Sequence, residues 1–120
     1  TNLARPRRVV AVTAPLVQSA LSLAYVRVAV SAKASGVQVD PSADVVTMAF
    51  TAAGVDPVGG DYKTSSWETD ATTTPNTYLA RCLVGPGGTV ALAAGTYEVW
   101  VKITDSPEIP VLRSGTLVVT

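Results

Sequence analysis

The stretch GTYEVWVKIT, residues Gly95–Thr104, alternates two kinds of side chain along its length and decides the fold. Its odd-numbered positions from 97 onward are apolar or aromatic: Tyr97, Val99, Val101 and Ile103. Its even-numbered positions from 98 onward are largely polar: Glu98, Trp100, Lys102 and Thr104. Because successive residues of a strand point to opposite sides, this pattern predicts a β-strand with one buried face. The segment DSPEIP at residues 105–110 ends it, since proline donates no hydrogen bond to a ladder.

A single strand cannot bury its own face, and other alternating stretches supply partners. They cover residues 9–13, 21–32, 44–52, 77–85 and 111–120, with a short extended piece at 37–40. The run at 21–32 is rich in β-branched residues and is interpreted as a strand; a helix to about Leu23 followed by a strand is the alternative. Residues 15–20 allow one helical turn, but no helix of useful length is predicted there. Turns rich in glycine and proline, spaced about ten residues apart, therefore predict an all-β, two-sheet antiparallel sandwich of about seven strands.

Residues 54–76 form a long, polar stretch that contains Trp67 and is predicted to be a loop. Loops of this length in a compact domain are often functional or ordered by a partner. Trp67 is interpreted as a core residue on a short strand, packed between the sheets, with an interface anchor as the alternative. Trp100 stands opposite the buried face of its strand, so it is either an outer-face anchor or a second wall of the core. Both tryptophans are candidate interface residues.

Composition argues against several classes of function. The chain has nine basic and nine acidic residues, and zero net charge argues against nucleic-acid binding. It has no histidine and one cysteine, Cys82, which is expected to be a buried small hydrophobe. A Ser or Cys triad, a disulfide and a familiar metal set are therefore not expected. No apolar run is long enough for a membrane span, and the sequence predicts no enzyme, no cofactor and no membrane partner.

Asp61, Glu68 and Asp70 are carboxylates within the predicted loop. Paired carboxylates need a cleft and a fixed separation to act as acid and base, whereas a flexible loop on a small sandwich offers little cleft. The spacing of a calcium-binding EF-hand is also missing. The preferred interpretation is a solvated polar loop, and no catalytic or metal-binding residue is assigned.

Residues 1–8 form a predicted N-terminal arm that contains three basic residues, Arg5, Arg7 and Arg8. Termini of this kind are usually solvated. The alternative is a tether to an acidic neighbouring subunit, since arginine pairs bidentately with carboxylates. The arm lacks the apolar core of a signal peptide, and Thr1 fits removal of an initiator methionine, which suggests synthesis in the cytosol. Residues 1–20, an arm and a first short strand, are predicted to precede a sandwich at 21–120.

The order of these elements resembles that of a known family. The shared features are a DPS turn, VVTMAF, Trp67, YLARCLVGPGG, LAAGTYEVWVKITDSPEIPV and GTLVV. Together they resemble the small immunoglobulin-like domains among the virion structural proteins of tailed bacteriophages, especially those of actinobacteria. They are also similar to the N-terminal sandwich of phage baseplate upper proteins. The resemblance covers about residues 25–120 and implies an immunoglobulin-like β-sandwich with an N-terminal extension.

The resemblance also implies a function, a non-enzymatic virion structural protein that decorates the capsid or serves the head and neck. Its expected partners are the major capsid protein or other virion subunits, and copies of itself in a homo-oligomer. Its expected location is the virion, after synthesis in the host cytoplasm. The alternative is a tail or baseplate component, including a receptor- or carbohydrate-binding module in which Trp67 and Tyr62 would be grouped with Glu68 and Asp70.

Overall fold

The computed structural model describes residues 8–12, 16–104 and 109–120. Arg5 and Arg7 of the predicted arm, and most of the DSPEIP bend, lie outside the described residues. Within the described ranges no helix is both long and apolar enough to cross a membrane.

Ten strands and one short 3₁₀ helix make up the regular structure of the described residues. The strands are β1 (Arg8–Val12), β2 (Leu16–Gln18), β3 (Ala24–Ala34), β4 (Val37–Val39), β5 (Val45–Ala52), β6 (Lys63–Thr64), β7 (Ser66–Asp70), β8 (Thr77–Val84), β9 (Gly95–Thr104) and β10 (Val111–Val119). The 3₁₀ helix, Gly59–Asp61, lies between β5 and β6. The stretch GTYEVWVKIT is β9, with the bounds that its alternation predicts.

The strands form two sheets packed as a sandwich. The first sheet has the order β1-β3-β8-β7, with β4 paired to the end of β3. The second has the order β2-β10-β9-β5-β6. A four-strand sheet facing a three-strand sheet is the plan of immunoglobulin-like domains; here the second sheet has β2 and β6 added at its two edges. The predicted immunoglobulin-like β-sandwich is confirmed.

On each side of the sandwich, two strands that follow one another in the chain belong to different sheets. On one side β1 pairs antiparallel with β3 in the first sheet, and the next strand, β2, pairs parallel with β10 in the second. On the other side β6 pairs with β5 in the second sheet, and β7 pairs with β8 in the first, with Ser65 between them. On the β6–β7 side Ser65 alone joins the two sheets, whereas residues 13–15, between β1 and β2, lie outside the described residues.

The core lies between the inward faces of the central strands. Val99, Val101 and Ile103 of β9 are completely buried, with an exposed fraction of 0%. Alternate residues are also buried on the facing strands β3 and β8 and on β5, the neighbour of β9: Val26, Val28 and Val30 on β3, Ala80, Cys82 and Val84 on β8, and Val46 and Met48 on β5. Phe50, at the next position of β5 on the same face, is partly buried and packs against the core.

Two parts of the prediction are wrong, both concerning short strands. Residues 16–18 form β2 instead of a helical turn, because they pair with the far end of the chain on β10. The predicted loop at 54–76 contains the 3₁₀ helix, β6 and β7, which raises the strand count above seven. Strands of two to five residues are too brief to show a period, so their pairing depends on tertiary contacts.

Candidate interaction surface

Trp67 lies on β7, opposite the buried residue Ala80, and packs against the hydrophobic core. Its indole nitrogen donates a hydrogen bond to the carbonyl oxygen of Asp44, 2.8 Å away, next to the start of β5. The side chain thus links the first sheet to the second. This placement matches the core interpretation of Trp67, since the side chain helps to hold the two sheets together.

Trp100 lies on the outer face of the second sheet, between Ala49 on β5 and Arg113 on β10. Its indole nitrogen donates to the hydroxyl oxygen of Thr51, 2.9 Å away. That hydroxyl is itself a donor to the carbonyl oxygen of Val55, at 2.6 Å, and only 6% of Thr51 is exposed. The indole of Trp100 is therefore held in one orientation by a buried hydrogen-bonded partner. Of the two alternatives for Trp100, the outer-face position is the one the structure shows.

The charged groups around Trp100 are satisfied within the same face. Glu98 accepts a hydrogen bond from Nη1 of Arg113 at 2.6 Å and another from the backbone nitrogen of Gly54 at 3.3 Å. The ammonium of Lys102 lies 4.1 Å from the centre of the Tyr62 ring. Burial, followed by the nearby carboxylates of Asp61 and Asp56, raises the pKa of Tyr62. These contacts fasten the loop of residues 53–62 to the sheet.

Three exposed valines lie on this face of the second sheet or in its loop. Val45 on β5 is 66% exposed, and Val111 on β10 is 42% exposed. Val55, in the loop that carries the acceptor of Thr51, is 51% exposed. We call the outer face of the second sheet, together with the loop of residues 53–62, the Trp100 surface. It combines a fixed aromatic side chain and exposed valines with the charged groups of Glu98, Lys102 and Arg113, which lie next to Trp100.

The remaining predicted residues do not converge on one place. Arg8 belongs to β1, where only the backbone is described. Asp61 accepts from the backbone nitrogen of Val58 in the second-sheet loop. Glu68 and Asp70 lie instead on β7, at the edge of the first sheet. The predicted grouping of Tyr62 with Glu68 and Asp70 is therefore not formed.

The surroundings of Glu68 and Asp70 favour the charged form of both carboxylates. A hydrogen bond from Arg27, supported by Arg81, lowers the pKa of Glu68. Hydrogen bonds from the side chain and backbone of Thr72 lower the pKa of Asp70. Both groups are stabilised as carboxylates, and a general acid near neutral pH needs the opposite shift. Across the described ranges, no group of three or more His, Cys, Asp or Glu residues is placed to hold a metal ion.

Cys82 is buried on the inner face of β8. Its sulfur lies 3.8 Å from the carbonyl oxygen of Thr64, and burial raises the pKa of the thiol. A raised pKa lowers the thiolate fraction, and the thiolate is the reactive form. Cys82 therefore behaves as a small core residue.

A second polar cluster, on the outer face of the first sheet, was not found in the sequence. It consists of Tyr25, Arg27, Glu68 and Arg81, which come from three strands. The outward positions of Arg27 and Arg81 follow from alternation. Their position opposite one another depends on the register of β3 against β8, which the sequence does not show.

Comparisons with known proteins give little similarity. No protein-family model matches the chain, and no curated protein does either. Among solved structures, the chain is similar to AggA, the major subunit of aggregative adherence fimbriae type I from Escherichia coli. The two are 15% identical over 97% of this chain and 95% of that chain, with a TM-score of 0.36. A likeness this low assigns no function.

These findings contradict the predicted phage virion function. The structure that is found is a fimbrial subunit, and nothing found is a phage protein. The correction covers the capsid decoration or head and neck role as well as the tail, baseplate and carbohydrate-binding alternative. The resemblance was carried by turn glycines, a core tryptophan and alternating strands. Such features specify a sandwich and are compatible with many functions.

Proposed function

We propose that this chain is a non-enzymatic protein-binding module that associates with a second copy of itself through the Trp100 surface. The observation that carries the proposal is the position of Trp100, which lies on the outer face of a sheet and is fixed there by Thr51. A core tryptophan would face the other sheet, as Trp67 does.

The rigidity of Trp100 favours binding. Ordering a mobile side chain at an interface costs about 0.5–1.5 kcal/mol, and a side chain that is already fixed avoids much of this cost. Tryptophan is also among the residues that contribute most to binding when they lie near the centre of an interface. The exposed Val45 and Val111 lie on strands that flank β9 and extend the apolar area around it.

The charge distribution suits a second copy as the partner. The face contains the Glu98–Arg113 ion pair, and Lys102 lies over Tyr62. Burying an unpaired charge is costly, whereas these charges already have partners on their own face. A copy related by a two-fold axis presents the same surface, so both sides of the interface gain equally. With zero net charge, long-range repulsion between copies is also absent.

Fluorescence of a Trp67→Phe variant tests this proposal, because it leaves Trp100 as the sole tryptophan of a chain that has two. Raising the protein concentration should shift its emission to shorter wavelength, while sedimentation equilibrium shows a dimer. Introducing Val111→Asp into the same background should weaken the dimer by at least about tenfold, equal to about 1.4 kcal/mol.

Val37→Asp provides a matched control for this experiment. Val37 is 66% exposed on β4, which belongs to the first sheet, so its substitution should leave the dimer unchanged. A monomer that persists to about 1 mM, or a dimer that Val111→Asp and Val37→Asp weaken equally, would refute association through this surface.

A further inference from the structure

One end of the sandwich is built from two turn segments without charged side chains. They are residues 19–23, between β2 and β3, and residues 85–94, between β8 and β9, and they meet because β3 starts where β8 ends. Neither segment contains an acidic or a basic residue, although the chain has nine of each. At the other end, by contrast, Lys33 and Asp44 lie near the end of β3 and the start of β5. We call residues 19–23 and 85–94 the uncharged end.

Two leucines are exposed at the uncharged end. Leu21 is 89% exposed and Leu23 is 51% exposed, and the nearby Val17 on β2 is exposed as well. Leu23 lies against the second turn segment, since a Cβ atom added to Gly88 would come within 2.8 Å of its Cδ1. Grouped apolar side chains that are left exposed mark a site of contact with a protein or with a membrane.

The turn that carries the leucines satisfies its backbone polar groups within the protein. The backbone nitrogen of residue 20 donates to the carbonyl oxygen of Thr120 at 2.9 Å. Those of residues 21 and 22 donate to the side-chain and carbonyl oxygens of Ser19, at 3.2 and 3.0 Å. The carbonyl oxygen of Ser22 accepts from Nε2 of Gln18 at 3.2 Å. Backbone groups that are already bonded lose little when water is removed, which is what contact with an apolar phase requires.

Leucine, tyrosine and arginine follow one another along the chain away from this end. After Leu23 come Tyr25 and Arg27, both exposed on β3. The centre of the Tyr25 ring lies 4.4 Å from the central guanidinium carbon of Arg81 and 5.6 Å from that of Arg27. A bilayer has the same order from its interior outward, because tyrosine is enriched at the interface and arginine reaches the headgroups. An apolar groove of a protein imposes no such order, so the order favours a lipid surface.

We propose that the uncharged end inserts into the surface of a lipid bilayer. Leu21 and Leu23 would reach the boundary between headgroups and acyl chains, with Tyr25 among the headgroups. Peripheral helices bury their apolar side chains about 5–10 Å into this boundary, and two residues of extended chain, as from Leu23 to Tyr25, span about 7 Å. The expectation of no membrane partner came from the lack of a spanning segment, and a surface contact needs none.

The contact requires no anionic lipid. Arg27 and Arg81 each lie 3.0 Å from Oε1 of Glu68, so both arginines already have an acidic partner on their own sheet. The attraction is therefore apolar, and we expect it to depend little on salt.

Co-sedimentation with phosphatidylcholine vesicles tests the proposal. The protein should bind these uncharged vesicles, and the bound fraction should be the same at low and high salt. Protein that stays in the supernatant at every lipid concentration would overturn the proposal. So would binding that needs added phosphatidylserine and is lost in salt, because general electrostatic attraction would then explain it.

Three serine substitutions assign the binding to the uncharged end. Leu21→Ser and Leu23→Ser should each weaken vesicle binding about tenfold, because each removes an apolar side chain that would leave water. Val37→Ser is the matched control, since Val37 is also exposed but lies on β4, which pairs with the far end of β3. It should bind as the unchanged protein does. Equal loss in all three variants would mean non-specific adsorption, and the proposal would be wrong.

Sedimentation equilibrium without lipid distinguishes a bilayer from a second copy as the partner. Val111, which the Trp100 surface contains, begins β10, whereas Val119 at its other end pairs with Gln18 beside the turn. The two valines are roughly 25 Å apart along the strand. Leu21→Ser should therefore leave self-association unchanged. If it weakens self-association and leaves vesicle binding intact, the uncharged end is an interface between copies and the proposal fails. Circular dichroism of each variant establishes that folded proteins are compared.

Discussion

The indole nitrogen of Trp67 lies 2.8 Å from the carbonyl oxygen of Asp44, so a side chain of the first sheet is bonded to the backbone that leads into the second. β7, which carries Trp67, is an edge strand. The bond and the packed ring together hold this edge against the core. Trp67 therefore stabilises the side of the sandwich where the chain passes from β6 to β7.

Trp67→Phe should destabilise the fold modestly, and Trp67→Ala strongly. Phenylalanine keeps an aromatic ring but loses the hydrogen bond to Asp44, which is worth about 1 kcal/mol. Alanine also loses the packed ring, and removal of a large aromatic residue from a core costs about 3–5 kcal/mol. The free energy of unfolding in urea measures both. If the two variants are equally stable, the ring of Trp67 does not pack as described.

Three glycine-to-alanine substitutions should destabilise the protein in the order Gly85, Gly87, Gly59. A Cβ atom on Gly85 would lie 2.1 Å from the carbonyl oxygen of Ser22, and its φ of +138° is unfavourable for alanine. Gly87 has a φ of +81° but open space around it, so only a conformational cost of about 1–2 kcal/mol applies. Gly59 has open space and no positive φ, and serves as the control.

Thermal melts of these three variants measure the order in which the substitutions destabilise the protein. The Gly85→Ala variant should show the largest fall in Tm, because the backbone of the β2–β3 turn must move to admit a methyl group. A Gly85→Ala protein as stable as Gly59→Ala would contradict the close approach of residues 22 and 85.

Thr51→Val should make the indole of Trp100 more mobile, whereas Thr51→Ser should leave its orientation unchanged. Valine keeps the volume but removes the hydroxyl that accepts from Trp100 and donates to Val55. Loss of a hydrogen-bonding partner in a buried position costs about 1–3 kcal/mol. In the Trp67→Phe background, the fluorescence anisotropy of Trp100 should fall for valine and stay unchanged for serine. Equal anisotropy in both variants would mean that Thr51 does not orient the indole.

Glu68 should contribute to a loss of stability in acid. Its pKa is lowered in the folded state, mainly by the hydrogen bond from Arg27. A group with a lowered folded pKa stabilises the protein above its unfolded pKa, about 4.3 for glutamate, and this contribution is lost as pH falls through the folded pKa.

Urea midpoints measured from neutral pH into this range should therefore fall less steeply for Glu68→Gln than for the unchanged protein. Asp56→Asn, which removes an exposed carboxylate from the loop of residues 53–62, controls for the loss of one acidic group. If the urea midpoints of Glu68→Gln and of the unchanged protein fall equally as the pH is lowered, the Arg27–Glu68–Arg81 contacts do not stabilise the folded state.

The central strands were predictable because each is long enough to show the two-residue alternation of apolar and polar side chains. Val99, Val101 and Ile103 recur on one side of β9, and all three are buried. β2 was missed because Leu16–Gln18 is too short for any period and is ordered by β10, near the other end of the chain. The sequence contains no local signal for that contact.

The candidate sites were also predictable only in part. Alternation places Trp100 on the outer face of β9, but its bond to Thr51 depends on how β5 is aligned with β9. Likewise, Arg27 and Arg81 become neighbours only through the register of β3 against β8. Function was less predictable still, since the residues behind the phage resemblance are those that build a sandwich.

The parallel pairing of β2 with β10 bears on how the molecule would respond to mechanical force. Leu16, Val17 and Gln18 lie beside Leu117, Val118 and Val119, and both strands run in the same direction. Pulling the two ends of the chain apart would slide these strands past one another, so their hydrogen bonds would share the load and break together. An antiparallel pair pulled from its open end separates one bond at a time. Force applied at the two ends would therefore load the β2–β10 ladder along the direction of its strands.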